Sequence, residues 1–154
     1  MLSGAEIFQS GAQRGKRLTG VSTDSRTVAP GNVFFALRGD TFDGHEFVLN
    51  AAGAGASAIV VDAKYDAAAL KKMNAAVVVV PNTTKALGTL AWLYRLKFDI
   101  PIVAVGGSNG KTTTKDMIAS VLRQKYTVLS TEGNLNNHIG VHEGCTVGAV
   151  HEPV

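Results

Sequence analysis

A glycine-rich stretch followed by lysine and threonine, residues 106–114 (GGSNGKTTT), carries the clearest chemistry in the sequence. Glycines let the backbone approach phosphate oxygens closely, and free amides at the start of a helix point at an anionic ligand. Lys111 would reach the β and γ phosphates of a nucleoside triphosphate as a point charge, and the Thr112 hydroxyl would bind Mg²⁺. The stretch therefore predicts a site for ATP or GTP with magnesium.

The spacing of this loop departs from the Walker pattern G-x-x-x-x-G-K-[ST]. The first glycine of that pattern would stand where Val105 is, and the loop instead reads G-x-x-G-K-T from Gly107. The alternative is a glycine-rich turn with an exposed lysine, but an apolar run before the loop and a helical segment after it favour a phosphate loop. The predicted nucleotide-binding residues are Gly107, Ser108, Asn109, Gly110, Lys111, Thr112 and Thr113, with Lys111 and Thr112 as the catalytic pair and Thr112 as the metal ligand.

The elements that would position this loop are short apolar runs alternating with longer mixed segments. Continuous Val and Ile runs of this kind are typical of strands covered on both faces, so the sequence predicts an α/β fold with a parallel sheet. The predicted strands are 33–37, 58–61, 76–80, 102–105 and 126–130. The predicted helices are 47–56, 67–73, 111–124 and one that begins after residue 82 or 83, whereas little order is expected in the tail, 142–154.

The helix after residue 82 has a clear start and a clear face. Asn82 or Thr83 would cap it, because a short polar side chain can accept a hydrogen bond from a free first-turn amide. Its apolar residues recur with a 3.6-residue period, which predicts one buried face. That face comprises Leu87, Leu90, Ala91 and Tyr94.

Composition places the chain among ordinary globular proteins and argues against several functions. Hydrophobic residues make up 45% of the 154, enough for a core. The 15 Lys and Arg are scattered and the net charge is +3, so no nucleic-acid surface is indicated. No stretch has the ~20 apolar residues of a membrane span or the apolar run of a signal peptide. We therefore expect a cytoplasmic protein without a membrane span, in which the single cysteine, Cys145, is a free thiol.

Three further segments surround the loop in a fixed order. They are residues 22–26 (STDSR) with 28–39 (VAPGNVFFALRG), residues 42–47 (FDGHEF) and residues 131–141 (TEGNLNNHIGV). Together with GSNGKTTTKDM, this order resembles the Mur ligases, the ATP-dependent amide-bond formers of peptidoglycan synthesis, over about residues 21–141. The EGNLNNHIGV segment is similar to the member that adds D-alanyl-D-alanine to UDP-MurNAc-tripeptide. The sister member that adds the third amino acid shares DSR and DGHEF and stays an alternative.

The resemblance implies a role in substrate binding for three groups of residues. Ser25 and Arg26 would lie near the UDP-MurNAc portion, the loop at 42–45 near the uridine end, and the asparagines at 134–137 at the cleft between substrate and ATP. The implied residues are Ser25, Arg26, Phe42, Asp43, Gly44, His45, Asn134, Asn136 and Asn137. Structural alternatives exist for each group: a turn held by local side-chain bonds at 24–26, a hydrogen-bonding role for His45, and a polar turn for the asparagines.

The resemblance also implies a domain plan and a reaction. Residues 1–98 would form a UDP-sugar-binding domain that folds by itself, and 99–154 the start of a Rossmann-like, P-loop ATPase domain. In the reaction, the carboxylate of UDP-MurNAc-tripeptide takes the γ-phosphate of ATP to give an acyl phosphate. The amine of D-Ala-D-Ala then displaces phosphate, while Lys111 and Mg²⁺ neutralise charge.

Departures from the family pattern limit what this chain is expected to do. Gly106 replaces a usual threonine, and HEGC follows Val141 where proline and an apolar helix are usual. The resemblance also implies a later acidic magnesium ligand, a modified lysine and a carboxyl-terminal domain, for which we expect no counterpart among these 154 residues. We expect the isolated chain to be a ligase fragment without activity, and its incomplete second domain leaves self-association open.

Other functions were weighed against the ligase. The chain could be a self-standing UDP-sugar-binding module. A small P-loop kinase would need lid arginines, yet no Arg or Lys follows residue 131. A folylpolyglutamate synthase has a similar loop but lacks the DSR domain in front of it.

Overall fold

The computed structural model of the protein describes residues 6–8, 17–66 and 74–131. The chain divides into two compact units, Met1–Ala91 and Trp92–Val154. The predicted helix 67–73, the asparagines at 134–137, Cys145 and the tail after residue 141 lie outside the described residues. The predicted domain assignments, 1–98 and 99–154, stay predictions.

The first unit is built on a five-stranded sheet with the order β1-β5-β4-β3-β2. Its strands are β1 (Glu6–Phe8), β2 (Gly20–Ser22), β3 (Asn32–Phe35), β4 (Ala58–Asp62) and β5 (Ala76–Val80). Strands β2 to β5 pair in parallel, and β1 pairs antiparallel with β5. The predicted α/β class with a parallel sheet is confirmed for this unit. The sequence missed β1 and β2, which have three residues each and too little length to show a period.

The core lies where the predicted apolar runs meet the helices. Phe34, Ile59, Val61 and Val77 from three neighbouring strands are at most 1% exposed. They pack in one cluster with the small residues of the segment after β3 and of the first helix, which include Ala36, Val48 and Ala51. The continuous apolar runs therefore indicate burial on both faces of the central strands, as expected for parallel strands.

The first helical segment differs from its predicted range, 47–56. A 3₁₀ turn, Gly44–Phe47, leads into α1, Val48–Gly53. The helix ends early because Gly55 lies in the left-handed region with φ of +98°, a conformation that favours glycine. The Ala56 N–H donates to the Ala51 carbonyl and the Gly55 N–H to the Ala52 carbonyl, both at 3.1 Å, which is the Schellman pattern of a helix end.

The second helix, α2 (Thr83–Arg95), has only one of its two predicted amino-terminal caps, Asn82 or Thr83. The Asn82 carboxamide oxygen accepts the Lys85 N–H at 2.8 Å, so Asn82 is the cap, whereas Thr83 is buried. The buried face comprises Thr83, Ala86, Leu87 and Ala91. The prediction of this face was correct for Leu87 and Ala91, but Leu90 lies at its border, 36% exposed, and Tyr94 is only half-buried.

The second unit contains α3, Lys111–Leu122, close to the predicted range 111–124. The strands predicted at 102–105 and 126–130 are not strands within the described residues 92–131, so these two predictions were wrong for this part of the chain. A strand needs a neighbour for its backbone N–H and C=O groups, and none of the described residues pairs with either segment. Ile102, Val103 and Leu129 are accordingly more than 60% exposed. None of the described helices combines the length and apolar character that crossing a membrane requires.

Two leucines of α2, one turn apart, test the position of its buried face. Leu87 is fully buried, so Leu87→Ala should lower the free energy of unfolding by about 2–5 kcal/mol, since it leaves a cavity. Leu90→Ala, at the partly exposed border, is the matched control and should cost about 1 kcal/mol. Urea unfolding of both variants measures the difference. Equal losses would contradict this position of the face.

Candidate functional site

The predicted substrate residues of the first unit follow strands that end at one edge of its sheet. Because β2, β3 and β4 run parallel, their carboxyl ends lie at the same edge. Ser25 and Arg26 follow the end of β2, and the loop of residues 38–44 follows β3. In open α/β sheets, ligands bind outside the carboxyl ends of the strands. The fold thus brings both segments to the edge where a ligand is expected.

The DSR segment forms a turn around the carboxylate of Asp24. That carboxylate accepts the Arg26 backbone N–H at 2.9 Å. It also accepts the Arg26 side chain through Nε at 2.9 Å and through Nη2 at 2.6 Å, each on a different oxygen. The Arg26 side chain remains 87% exposed, and Ser25 is half-buried. The pair leaves the guanidinium oriented yet open to solvent.

A second set of bonds fixes the base of this turn. The Ser22 and Thr27 hydroxyls lie 2.9 and 3.0 Å from the Asp24 carbonyl and 2.9 Å from each other. Ser22 is the last residue of β2 and is buried. The turn held by local bonds, considered as the alternative to a binding role, is therefore present. The substrate role of Ser25 and Arg26 stays a prediction beside it, and the sequence missed Ser22 and Thr27.

Arg26 changes the acidity of its partner. Its side-chain hydrogen bonds, followed by its backbone N–H, lower the pKa of Asp24 from 3.8 to about 2. The Asp24 carboxylate is therefore ionised at neutral pH, and the pair with Arg26 is maintained there.

The loop after β3 is closed by hydrogen bonds between its own backbone groups. The Gly44 N–H donates to the Leu37 carbonyl at 2.7 Å, and the Gly39 N–H donates to the Phe42 carbonyl at 2.8 Å. A Cβ on Gly44 would lie 2.7 Å from the Leu37 oxygen and 2.8 Å from its nitrogen, so only glycine fits without a backbone shift. Phe42 lies near the tip and is 48% exposed.

His45 lies beneath this loop and is 7% exposed. Its Nδ1 lies 2.6 Å from the Asp43 carboxylate, and its Nε2 accepts the Asp62 backbone N–H at 3.0 Å. The same Asp43 oxygen accepts the His45 backbone N–H and caps the 3₁₀ turn. Both ring nitrogens are therefore bonded within the chain, the structural alternative considered for this residue. Its predicted contact with substrate stays a prediction.

Arg38 joins the loop to the end of β4. Its Nη2 lies 3.0 Å from the Asp43 carboxylate and 3.4 Å from that of Asp62. Burial raises the pKa of Asp43, but the hydrogen bonds from His45 and the charge of Arg38 outweigh it, so this pKa lies below its usual value. The sequence missed Arg38 and Asp62. Their position directly after two predicted strands is the signal that could have found them.

The second unit presents the glycine-rich loop in a form suited to an anion. Gly107 and Gly110 have φ of +143° and +74°, a region that favours glycine. Gly110 directly precedes α3 without a side-chain cap, so the first-turn N–H groups of this helix are open to a ligand. The side chains of Ser108, Asn109, Thr112 and Thr113 are exposed.

Lys111 bends back over this loop. Its Nζ lies 2.6 Å from the Gly107 carbonyl and 3.3 Å from the Ser108 carbonyl. Farther along the same helix, Lys115 donates to the Thr131 carbonyl at 2.5 Å, and Arg123 donates to the Ser130 hydroxyl at 2.7 Å. These bonds tie α3 to the segment that follows it. Among the described residues, no three His, Cys, Asp or Glu side chains form a group that could hold a metal ion.

Two protein-family models match the chain. Residues 17–95 match the Mur ligase family, catalytic domain, and residues 105–150 match the Mur ligase middle domain. The UDP-N-acetylmuramoyl-tripeptide–D-alanyl-D-alanine ligase of Bacillus subtilis is 44% identical over 79% of this chain and 26% of its own length. The ligase of the same name from Treponema pallidum is 39% identical over 98% of this chain and 34% of its own.

A solved structure adds a likeness in fold. The crystal structure of MurF ligase from Thermotoga maritima in complex with ADP has a TM-score of 0.72 and 31% identity. It matches 89% of this chain, which covers 30% of that structure. The chain thus spans between a quarter and a third of the length of the relatives described here.

The Asp24–Arg26 pair predicts that the pKa of Asp24 depends on Arg26. Arg26→Ala should raise the pKa of Asp24 from about 2 toward 3.8, because its main hydrogen-bond donor is lost. Since the folded pKa is depressed, the pair stabilises the turn fully above pH 3.8, and this stabilisation is lost as the pH falls toward 2. Carboxyl ¹³C NMR titration measures the pKa, with Arg123→Ala as the control. An unchanged pKa in Arg26→Ala would refute the pairing.

Gly44 predicts a steric penalty at the base of the loop. Gly44→Ala should lower the free energy of unfolding by about 1–3 kcal/mol, because its methyl group meets the Leu37 backbone. Gly53→Ala is the matched control, since a Cβ at Gly53 meets nothing within 4 Å. Chemical denaturation of the two variants decides the matter, and the prediction fails if both are as stable as the parent chain.

Proposed function

The chain belongs to the Mur ligase family, and on this basis we propose that it forms the UDP-sugar-binding and nucleotide-binding part of an ATP-dependent ligase. The proposed ligase joins D-alanyl-D-alanine to UDP-MurNAc-tripeptide. The observation that carries this choice within the family is the 44% identity to the Bacillus subtilis ligase of that name. A cytoplasmic location is part of the same proposal.

The carboxyl edge of the first sheet suits the UDP-MurNAc portion of the substrate. A diphosphate needs donors and positive charge, and a guanidinium offers both in a planar arrangement. Arg26 is exposed there while Asp24 holds it in one orientation. We assign Ser25 and Arg26 to the sugar diphosphate, and the loop of residues 42–45 to the uridine end.

The loop before α3 suits the phosphates of ATP. Its two glycines with positive φ and the uncapped helix start fit the close backbone approach that phosphate oxygens require. When bound, the nucleotide would supply the phosphoryl group that activates a carboxylate. Lys111 would leave the Gly107 carbonyl to neutralise phosphate charge.

Magnesium binding at this loop would rest on Thr112. Its exposed side chain lies in the first turn of α3, where a hydroxyl can bind Mg²⁺ together with phosphate oxygens. Mg²⁺ in such sites keeps several waters and relies on substrate phosphates, so it does not need a cage of protein carboxylates.

The remaining parts of the proposal concern residues outside the described ranges. Asn134, Asn136 and Asn137 are assigned to the cleft between the tripeptide and ATP on the strength of the EGNLNNHIGV segment. In the same plan, residues 1–98 are the UDP-sugar domain and 99–154 the start of the ATP domain. Self-association through the second domain and the inactivity of the isolated chain stay predictions.

Calorimetric titration tests the two binding functions separately. UDP-MurNAc-tripeptide and Mg·ATP should each bind the chain. Lys111→Ala should weaken Mg·ATP binding by at least about tenfold, because a charged phosphate contact is lost, and should leave UDP-MurNAc-tripeptide binding unchanged. Lys125→Ala, which removes the same charge beyond the other end of α3, is the matched control.

The same titration separates the alternatives. Tighter binding of UDP-MurNAc-dipeptide than of the tripeptide would favour the sister ligase that adds the third amino acid. Binding of the UDP-sugar without any binding of Mg·ATP would favour a self-standing UDP-sugar-binding module. Binding of neither would contradict a working site in this chain.

A further inference from the structure

The tautomer of His45 follows from the two hydrogen bonds of its ring nitrogens. The backbone N–H of Asp62 is a donor, so the Nε2 that it reaches must carry a lone pair. The ring proton therefore sits on Nδ1, where the Asp43 carboxylate lies 2.6 Å away to accept it. A single tautomer, neutral and protonated on Nδ1, satisfies both partners at once.

The bonds of His45 and Arg38 join three separate segments. Asp43 belongs to the loop after β3, Asp62 is the last residue of β4, and His45 lies in the 3₁₀ turn that leads into α1. The Arg38 guanidinium bridges the Asp43 and Asp62 carboxylates, at 3.0 and 3.4 Å. The loop is thereby held at both of its ends to the carboxyl edge of the sheet.

What this network holds in place is an exposed surface. Phe42 is nearly half exposed, and the hydrogen bond from the Gly39 N–H to the Phe42 carbonyl fixes its backbone. The exposed tip therefore takes its position from the bonds at its base. A loop that is ordered before the ligand arrives loses less entropy on binding.

We propose that His45, Arg38 and Asp62 are positioning residues, which hold the loop of residues 38–44 in the conformation that receives the UDP-sugar. This inference rests on the proposed function, because that function supplies the ligand. Within the loop of residues 42–45 that is assigned to the uridine end, His45 acts through Asp43 and the Asp62 backbone and does not itself contact the ligand. A direct contact would require its buried ring to give up one of its two bonds.

Two substitutions separate the two bonds of His45. In His45→Asn, the side-chain amide stands where Nδ1 stands and can donate to Asp43, but it cannot reach the Asp62 N–H. In His45→Gln, the side-chain carbonyl stands where Nε2 stands and can accept that N–H, but it loses the donor to Asp43. Each variant should bind UDP-MurNAc-tripeptide about ten- to a hundredfold more weakly than the parent chain.

Amide exchange and NMR report on the network without a ligand. The Asp62 amide should exchange faster in His45→Asn and stay protected in His45→Gln. Imidazole ¹⁵N shifts should show the Nδ1–H tautomer in the parent chain, unchanged when the UDP-sugar binds. Glu46→Gln, an exposed neighbour on the same turn, is the control and should alter neither exchange nor affinity.

The outcomes divide clearly. A proton on Nε2, a ring shift on UDP-sugar binding, or parental affinity in both His45 variants would overturn the proposal. If the parent chain itself fails to bind UDP-MurNAc-tripeptide, the proposed function fails. The amide exchange of Asp62 and the tautomer of His45 then still show whether the network exists.

Arg38→Ala combined with His45→Asn should lose less affinity than the sum of the single losses, because both substitutions act on one loop.

Discussion

Parallel pairing of β2, β3, β4 and β5 is the constraint on which the first unit depends. It places the residue after every strand at one edge, so segments far apart in sequence become neighbours. Asp62 can donate its backbone N–H to His45 only because β4 ends beside the loop that leaves β3. The site therefore follows from the direction of the strands as much as from the motifs.

Stability and positioning come from different interactions in this protein. Buried residues such as Phe34 and Ile59 lose their whole apolar surface to the core, worth about 1.5–3 kcal/mol each. An exposed ion pair such as Asp24–Arg26 adds little, because water screens the two charges. These pairs contribute little to folding, and what they provide is a fixed direction for an arginine at the sheet edge.

In the second unit, some features have local causes and others require tertiary contacts. Its glycine-rich loop takes shape from glycines that adopt positive φ and from the helix that starts beside them, both of which are local features. The apolar segments on either side of this loop cannot form strands through local interactions alone. Ile102, Val103 and Leu129 stay exposed because a strand is completed by neighbours, and the described residues of this unit provide none.

Local patterns in the sequence were enough to predict the α/β class, the central strands and the start of α2, and they also predict a phosphate-binding role for the glycine-rich loop. Valine runs, an asparagine cap and a Gly-Lys-Thr turn each act within a few residues. The sequence could not show that Arg38 pairs with both Asp43 and Asp62, because β3 and β4 bring these residues together only in the folded sheet. Nor could it show that His45 is bonded at both nitrogens, since Asp62 lies 17 residues away. Such contacts depend on strand order and burial, which are properties of the tertiary structure.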